Sequence, residues 1–185
     1  MIDGNDLKYG TVIKVDGKLY IVLETQHVKP GKGPAYIKAK LKNFFEGNVL
    51  EKTFRSSEKV EDVYIDRRHM QFLYKSDGEY VFMDSENYEQ ISLNNELIGD
   101  SENFMKDGME LEVQFYEDKP ISVILPTFVE LKVIKTEPGL KGDTVSSPLK
   151  PATLETGAEV MVPLFVNEGD VIKIDTRNNA YVERV

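Results

Sequence analysis

Thr11-Val12-Ile13-Lys14-Val15-Asp16-Gly17-Lys18-Leu19-Tyr20-Ile21-Val22-Leu23 reads as a β-hairpin. Two β-rich runs, 11–15 and 19–23, flank Asp-Gly, a strong hairpin signal because glycine accepts the positive φ of a primed turn. Working outward, residues 25–28, 36–41 and 49–54 supply further strands, with 29–35 and 43–48 as connecting loops. The style recurs downstream. Residues 71–74 and 80–83 flank Ser76-Asp77-Gly78-Glu79, and 110–116 and 121–125 flank Glu117-Asp118-Lys119-Pro120. Residues 94–105 are the best helical candidate, and Leu125-Pro126-Thr127 reads as a boundary. Beyond it, residues 129–136, 159–162, 171–175 and 181–185 are strand-like, and 138–151 is a long loop rich in Gly, Pro and Ser. Many short strands at roughly 8–12 residue spacing favour barrels or sandwiches. The expected fold is all-β in three small modules, 1–64, 65–127 and 128–185. Modules of this size have modest cores, so the first two are expected to dock on each other.

The chain of 185 residues is 41% hydrophobic and 30% charged, ordinary globular usage that indicates neither disorder nor a fibre. No apolar run approaches the roughly 18 residues of a spanning helix, and residues 1–6 lack a basic-then-apolar signal pattern, so a soluble, cytoplasmic protein with no membrane partner is expected. The absence of cysteine rules out disulfides, thiolate metal sites and a cysteine nucleophile. His27 and His69 are the only histidines and show no metal-ligand spacing.

Net charge is −9, but its distribution is uneven. Residues 1–64 hold 11 Lys/Arg and 9 Asp/Glu, 65–128 hold 5 and 14, and 129–185 hold 7 and 9, giving +2, −9 and −2. Within the first module, residues 25–59 carry 8 basic and 3 acidic side chains. One basic end suits a protein that lays that end on RNA while its acidic middle repels nonspecific RNA.

The richest stretch is His27-Val28-Lys29-Pro30-Gly31-Lys32-Gly33-Pro34-Ala35, whose central five residues are palindromic. The prolines restrict the chain, and the glycines remove bulk beside Lys32 and permit close approach to another surface. The design is a stiff stalk with a cation at its tip. In the next run, strand alternation puts Tyr36, Lys38, Lys40 and Lys42 on one face and Ile37, Ala39 and Leu41 on the other. With Lys29, Lys52 and Arg55, this gives a basic stripe suited to phosphate contacts.

Enzyme motifs are lacking. There is no G-x-G-x-x-G, and residues 139–144 lack both the spacing and the Lys-Ser/Thr pair of a P-loop. A non-enzymatic protein without cofactor or metal is expected.

Three blocks carry a resemblance: residues 26–33 above; Glu79-Tyr80-Val81-Phe82-Met83-Asp84 with Tyr88-Glu89-Gln90; and a carboxyl-terminal series. That series runs from Pro138-Gly139-Leu140-Lys141-Gly142-Asp143-Thr144 through Lys150-Pro151-Ala152, Gly157, Val162-Pro163-Leu164-Phe165-Val166 and Gly169 to Asp175-Thr176-Arg177. Together they resemble the bacterial elongation factor P family over nearly the whole chain. The resemblance implies an L-shaped, tRNA-like monomer, a KOW-type (SH3-like) barrel followed by two OB-type barrels. Its implied partners are both ribosomal subunits, peptidyl-tRNA and exit-site mRNA. It would bind between the peptidyl-tRNA and exit sites and relieve stalling at consecutive prolines, with Lys32 reaching toward the CCA end of the tRNA. Gly142, Asp143 and Thr144, with Tyr181 and Arg184, are implied to lie near the exit-site codon and small subunit. In many relatives the tip lysine is enlarged by a modifying enzyme, which makes Lys32 a candidate modification site. Pro34, however, completes a Pro-Gly-Lys-Gly-Pro loop similar to that of subfamilies whose lysine works unmodified, so an unmodified Lys32 is expected. The reading from another class is a generic OB-type module for nucleic-acid or protein interaction, without effect on peptidyl transfer.

Overall fold

Asp16 and Gly17 both take positive φ, 50° and 80°, and join Val15 to Lys18 as neighbours in an antiparallel pair. Asp77 and Gly78 repeat the arrangement between Ser76 and Glu79. A third such turn uses no glycine: Glu117 and Asp118 stand at φ 48° and 60°, and Arg68 donates to the Asp118 carboxylate at 2.8 Å. These reversals belong to a computed structural model that describes residues 1–139 and 148–185. The chain divides into two units, Met1–Ile65 and Asp66–Val185.

The first unit is a six-stranded antiparallel sheet. Its strands are β1 (Ile2–Asp3), β2 (Val12–Val15), β3 (Lys18–Val28), β4 (Tyr36–Asn43), β5 (Val49–Arg55) and β6 (Lys59–Asp62), ordered β1-β6-β2-β3-β4-β5. Leu7, Ile13, Val22, Leu41 and Phe54 fill its core. A short 3-10 turn at Gly4–Asp6 brings β1 back toward β5, where a Cβ on Gly4 would lie 2.4 Å from the Arg55 carbonyl oxygen. Only glycine fits that approach. The expected strands at 19–23 and 25–28 are one continuous β3, bulged at Leu23 between the paired residues Val22 and Glu24.

The second unit holds two five-stranded sheets. β7 (Asp66–Ser76), β8 (Glu79–Asp84), β9 (Gln90–Leu93), β10 (Glu110–Tyr116) and β11 (Lys119–Ile124) are ordered β11-β10-β7-β8-β9. β12 (Phe128–Thr136), β13 (Leu149–Leu154), β14 (Glu159–Pro163), β15 (Val171–Asp175) and β16 (Ala180–Arg184) are ordered β14-β13-β12-β15-β16. β14 also approaches β16, which curls the last sheet into a barrel.

Two expectations change. The helix foreseen over 94–105 is a single turn, α1 (Asn95–Ile98), capped by the Asn94 side chain on the Leu97 N–H. Gly99 at φ 51° ends it, and the chain continues as a 3-10 turn, Gly99–Phe104. The loop foreseen over 138–151 gives way to β13 at Leu149. Within the second unit, the two sheets are joined by contacts between them. Phe104 lies in the core of the third, the Thr156 hydroxyl donates to the Asn103 carbonyl at 2.5 Å, and Lys106 donates to the Glu130 carbonyl at 2.8 Å. No helix among the described residues is long and apolar enough to cross a membrane.

Ion pairs give this unit a pH dependence. Lys75, bonded to Glu102, holds the Glu102 carboxyl below its ordinary range, and the Arg177 guanidinium does the same for Asp175. A carboxyl whose pKa is lower folded than unfolded adds stability that is complete above the unfolded value and lost as pH falls through the folded one. The urea midpoint of the second unit is therefore expected to drop as pH falls below about 4, and Asp175→Asn is expected to flatten that acid limb while lowering the midpoint at pH 7.

Candidate nucleic-acid interface

The β3–β4 hairpin is hydrogen-bonded out to the Val28–Tyr36 pair, and residues 29–35 form its tip. Lys29, Gly31, Lys32, Gly33 and Pro34 are exposed, and Pro30 is half-buried. The two glycines differ. Gly33 sits at φ 103°, which side chains rarely adopt, whereas a Cβ on Gly31 would meet nothing within 4 Å. Folding thus requires glycine at 33 and leaves position 31 free.

Below the tip, burial along β4 alternates without a break: Ile37, Ala39, Leu41 and Asn43 face inward, and Lys38, Lys40 and Lys42 are exposed. Tyr36 is half-buried opposite exposed Arg55. The structure therefore brings Lys29, Lys32, Tyr36, Lys38, Lys40, Lys42 and Arg55 onto one hairpin and its neighbouring strand. Among the described residues, none of the six cations in that set forms an ion pair.

Register adds what sequence reading missed. Lys40 lies between Glu24 on β3 and Glu51 on β5, while Lys38 faces Gln26 and Thr53, and Lys42 faces Ile21 and Val49. Glu24, Gln26, Lys38, Lys40 and Glu51 line a shallow cleft. The stripe is thus divided, with one lysine between two carboxylate-bearing register neighbours and two that lack a carboxylate directly opposite. Only the pairing register carries this signal.

Three family models divide the chain between them: the elongation factor P KOW-like domain over residues 3–60, the OB domain over 65–123 and the C-terminal domain over 129–184. The chain belongs to the elongation factor P family. Elongation factor P of Coprothermobacter proteolyticus is 50% identical over 186 residues, covering all of both chains, and that of Natranaerobius thermophilus is 53% identical over 185 residues, covering 100% of this chain and 98% of its own. Among solved structures, the eukaryotic translation initiation factor 5A from Methanococcus jannaschii superimposes with a TM-score of 0.54 at 29% identity, over 66% of this chain and 94% of that one. The elongation factor P family is thus one of translation factors, related to initiation factor 5A and built from a KOW-like barrel and OB-type domains.

The remaining residues that the elongation factor P resemblance singled out lie in the second unit. Tyr181 is half-buried, pairs with Ile174 and packs on the barrel core. Arg184 is exposed, 3.4 Å from Asp170 and 5.4 Å from the centre of the Phe165 ring. Gly142, Asp143 and Thr144 lie outside the described residues. Exposed His69 is opposite Glu112 on β10 and shares a cleft with Glu110, and no group of three His, Cys, Asp or Glu suited to a metal occurs among the described residues. The two tip glycines give a direct test. Gly31→Ala is expected to leave the thermal midpoint unchanged or raise it slightly, whereas Gly33→Ala should cost about 1 kcal/mol or more by calorimetry, because alanine resists that φ.

Proposed function

We propose that this factor binds the ribosome between the peptidyl-tRNA and exit sites and promotes peptide-bond formation at consecutive prolines by positioning peptidyl-tRNA. Lys32 reaches toward the CCA end, and Lys29, Tyr36, Lys38, Lys40, Lys42 and Arg55 hold tRNA or rRNA. The observation that carries this reading is an exposed cation at the end of a stem hydrogen-bonded to its last pair, Val28–Tyr36. Such a stem delivers charge into a crevice with little freedom left to lose. Proline is a poor nucleophile and a strained donor, so the help it needs is orientation of reactants already present, an entropic contribution that requires no catalytic group. The ribosome supplies the bond chemistry. Gly142, Asp143, Thr144, Tyr181 and Arg184 serve contacts to exit-site mRNA and the small subunit. The factor acts as a cytoplasmic monomer and needs no cofactor.

Reconstituted translation tests this. With a reporter of three consecutive prolines and a control without them, the wild type should rescue the first selectively and Lys32→Ala should lose that rescue. Equal effects on both reporters would favour a generic OB-type interaction module instead. Intact mass of protein from its native cells should equal the encoded mass, and a discrete adduct at Lys32 would show that a modifying enzyme extends the tip.

The divided stripe gives a finer expectation. Lys38→Ala and Lys42→Ala should each weaken RNA binding and reduce the slope of log affinity against log salt by roughly 0.7–0.9. Lys40→Ala, at the position with Glu24 and Glu51 opposite it in register, should change that slope by less.

A further inference from the structure

The outer face of β3, β4 and β5 is ordered in rows. Register sets Val28, Tyr36 and Arg55 abreast nearest the tip, then Gln26, Lys38 and Thr53, then Glu24, Lys40 and Glu51. Successive rows stand about 7 Å apart along β4, and the outer strands of one row are about 10 Å from each other. The shallow cleft between the second row and the third measures about 190 Å³. Its walls are the exposed side chains of Glu24, Gln26, Lys38, Lys40 and Glu51. Ala39 lines it too, and because the Ala39 side chain faces the core, what it offers the cleft is backbone. Opposite charges directly across a strand pair attract one another. Two other register pairs of this unit close on that attraction: Lys59 stands 2.8 Å from Asp3, and Lys14 4.0 Å from Glu61. Lys40 has a carboxylate on each side, yet among the described residues it forms an ion pair with neither. The row holds its charges apart, with the cleft beside them.

Phosphate is a poor occupant for that row, since two carboxylates repel it. What fits is a group that donates to a glutamate and accepts from the lysine between them. The edge of a base with an exocyclic amine beside a ring nitrogen or carbonyl does both, as in cytosine, adenine and guanine. Uracil sets carbonyl oxygens on either side of its one N–H, and those oxygens would face the carboxylates. A base shows this edge to a protein only where it is unpaired, and an open sheet face is a surface on which unpaired bases are read.

We propose that this cleft is a base-reading subsite: Glu24 and Glu51 supply acceptors for the exocyclic amine of an unpaired adenine, cytosine or guanine, Lys40 donates to the same edge, and Lys38 and Lys42 hold the phosphates on either side. The inference rests on the RNA-holding role proposed above for this face and adds base selectivity to it. It assigns Lys40 to a base and not to phosphate, in accord with the smaller change in salt slope expected of Lys40→Ala.

The test is fluorescence anisotropy of the full-length protein, at low salt, with short single-stranded RNAs that contain only cytosine, only adenine or only uracil. The wild type should bind the cytosine and adenine RNAs about fivefold or more tighter than the uracil RNA. Glu24→Ala/Glu51→Ala should abolish that difference, whereas Glu61→Ala, which removes a carboxylate of β6 in the same unit, should keep it. Should the alanine pair lower the thermal midpoint, Glu24→Gln/Glu51→Gln takes its place; it keeps the shape, adds donors suited to the uracil oxygens, and should abolish the difference as well. A wild type without base preference, or a preference that survives in the double variant, would overturn the proposal. Lys38→Ala and Lys42→Ala separate the two readings. If they weaken all three RNAs while the base preference is missing or survives, the base-reading subsite alone falls; if they leave every RNA bound as in the wild type, or if no RNA binds, the RNA-holding reading of the face falls with it.

Discussion

The ladder between β3 and β4 is the constraint on which the first unit turns. Eight residue pairs, from Tyr20–Asn43 to Val28–Tyr36, lock two long strands together. Because side chains alternate with a period of two, that lock fixes everything else at once. It sends Ile37, Ala39 and Leu41 inward, stands Lys38, Lys40 and Lys42 on the open face, and carries the chain out to Lys32. A one-residue slip would exchange lysines for core. The Asp16-Gly17 turn and the barrel core set the register at the inner end, and the outer end inherits it.

Three of the buried polar side chains among the described residues, Asn43, Asp84 and Asp175, sit where the backbone must be held after it leaves a strand. Asn43 accepts from the Phe45 and Glu46 N–H groups, Asp84 from those of Glu86 and Asn87, and Asp175 from that of Arg177. Each replaces strand partners that the turning chain has lost, and among the described residues no buried side-chain polar atom lacks a partner. Lys150, buried on β13, follows the same logic with the sign reversed, donating to the Glu137 carbonyl where the others accept. Rigid connections are thus built from the inside, by side chains placed at core positions.

Much of this was legible in the sequence, and the misses share a cause. Asp16-Gly17 and Asp77-Gly78 announced their turns because positive φ selects for those residues, and 110–116 and 171–175 were read with their observed bounds. Of the strands that went unread, β1, β6, β9 and β13, the first three are short and get their identity from a partner: Ile2 pairs with Val60, and Gln90 with Met83. β13, of six residues, was masked instead by Pro151, which reads as loop. Residues 94–105 looked helical by composition until Gly99 took a left-handed φ. At the candidate interface the lysines were visible, but the carboxylates beside Lys40 were not, since Glu24 and Glu51 are distant in sequence and meet it only through register.

The bulge at Leu23 makes the hairpin a lever. Beyond it, the stem from Glu24 to Val28 extends about 17 Å at ~3.3 Å per residue, so a change of about 10° in local bend would swing its far end by about 3 Å. Leu23 lies in the stem and outside the tip, yet a bend there would set the aim. Selection for accurate reach would then fall on an apolar residue far from any contact, where it would pass for ordinary packing.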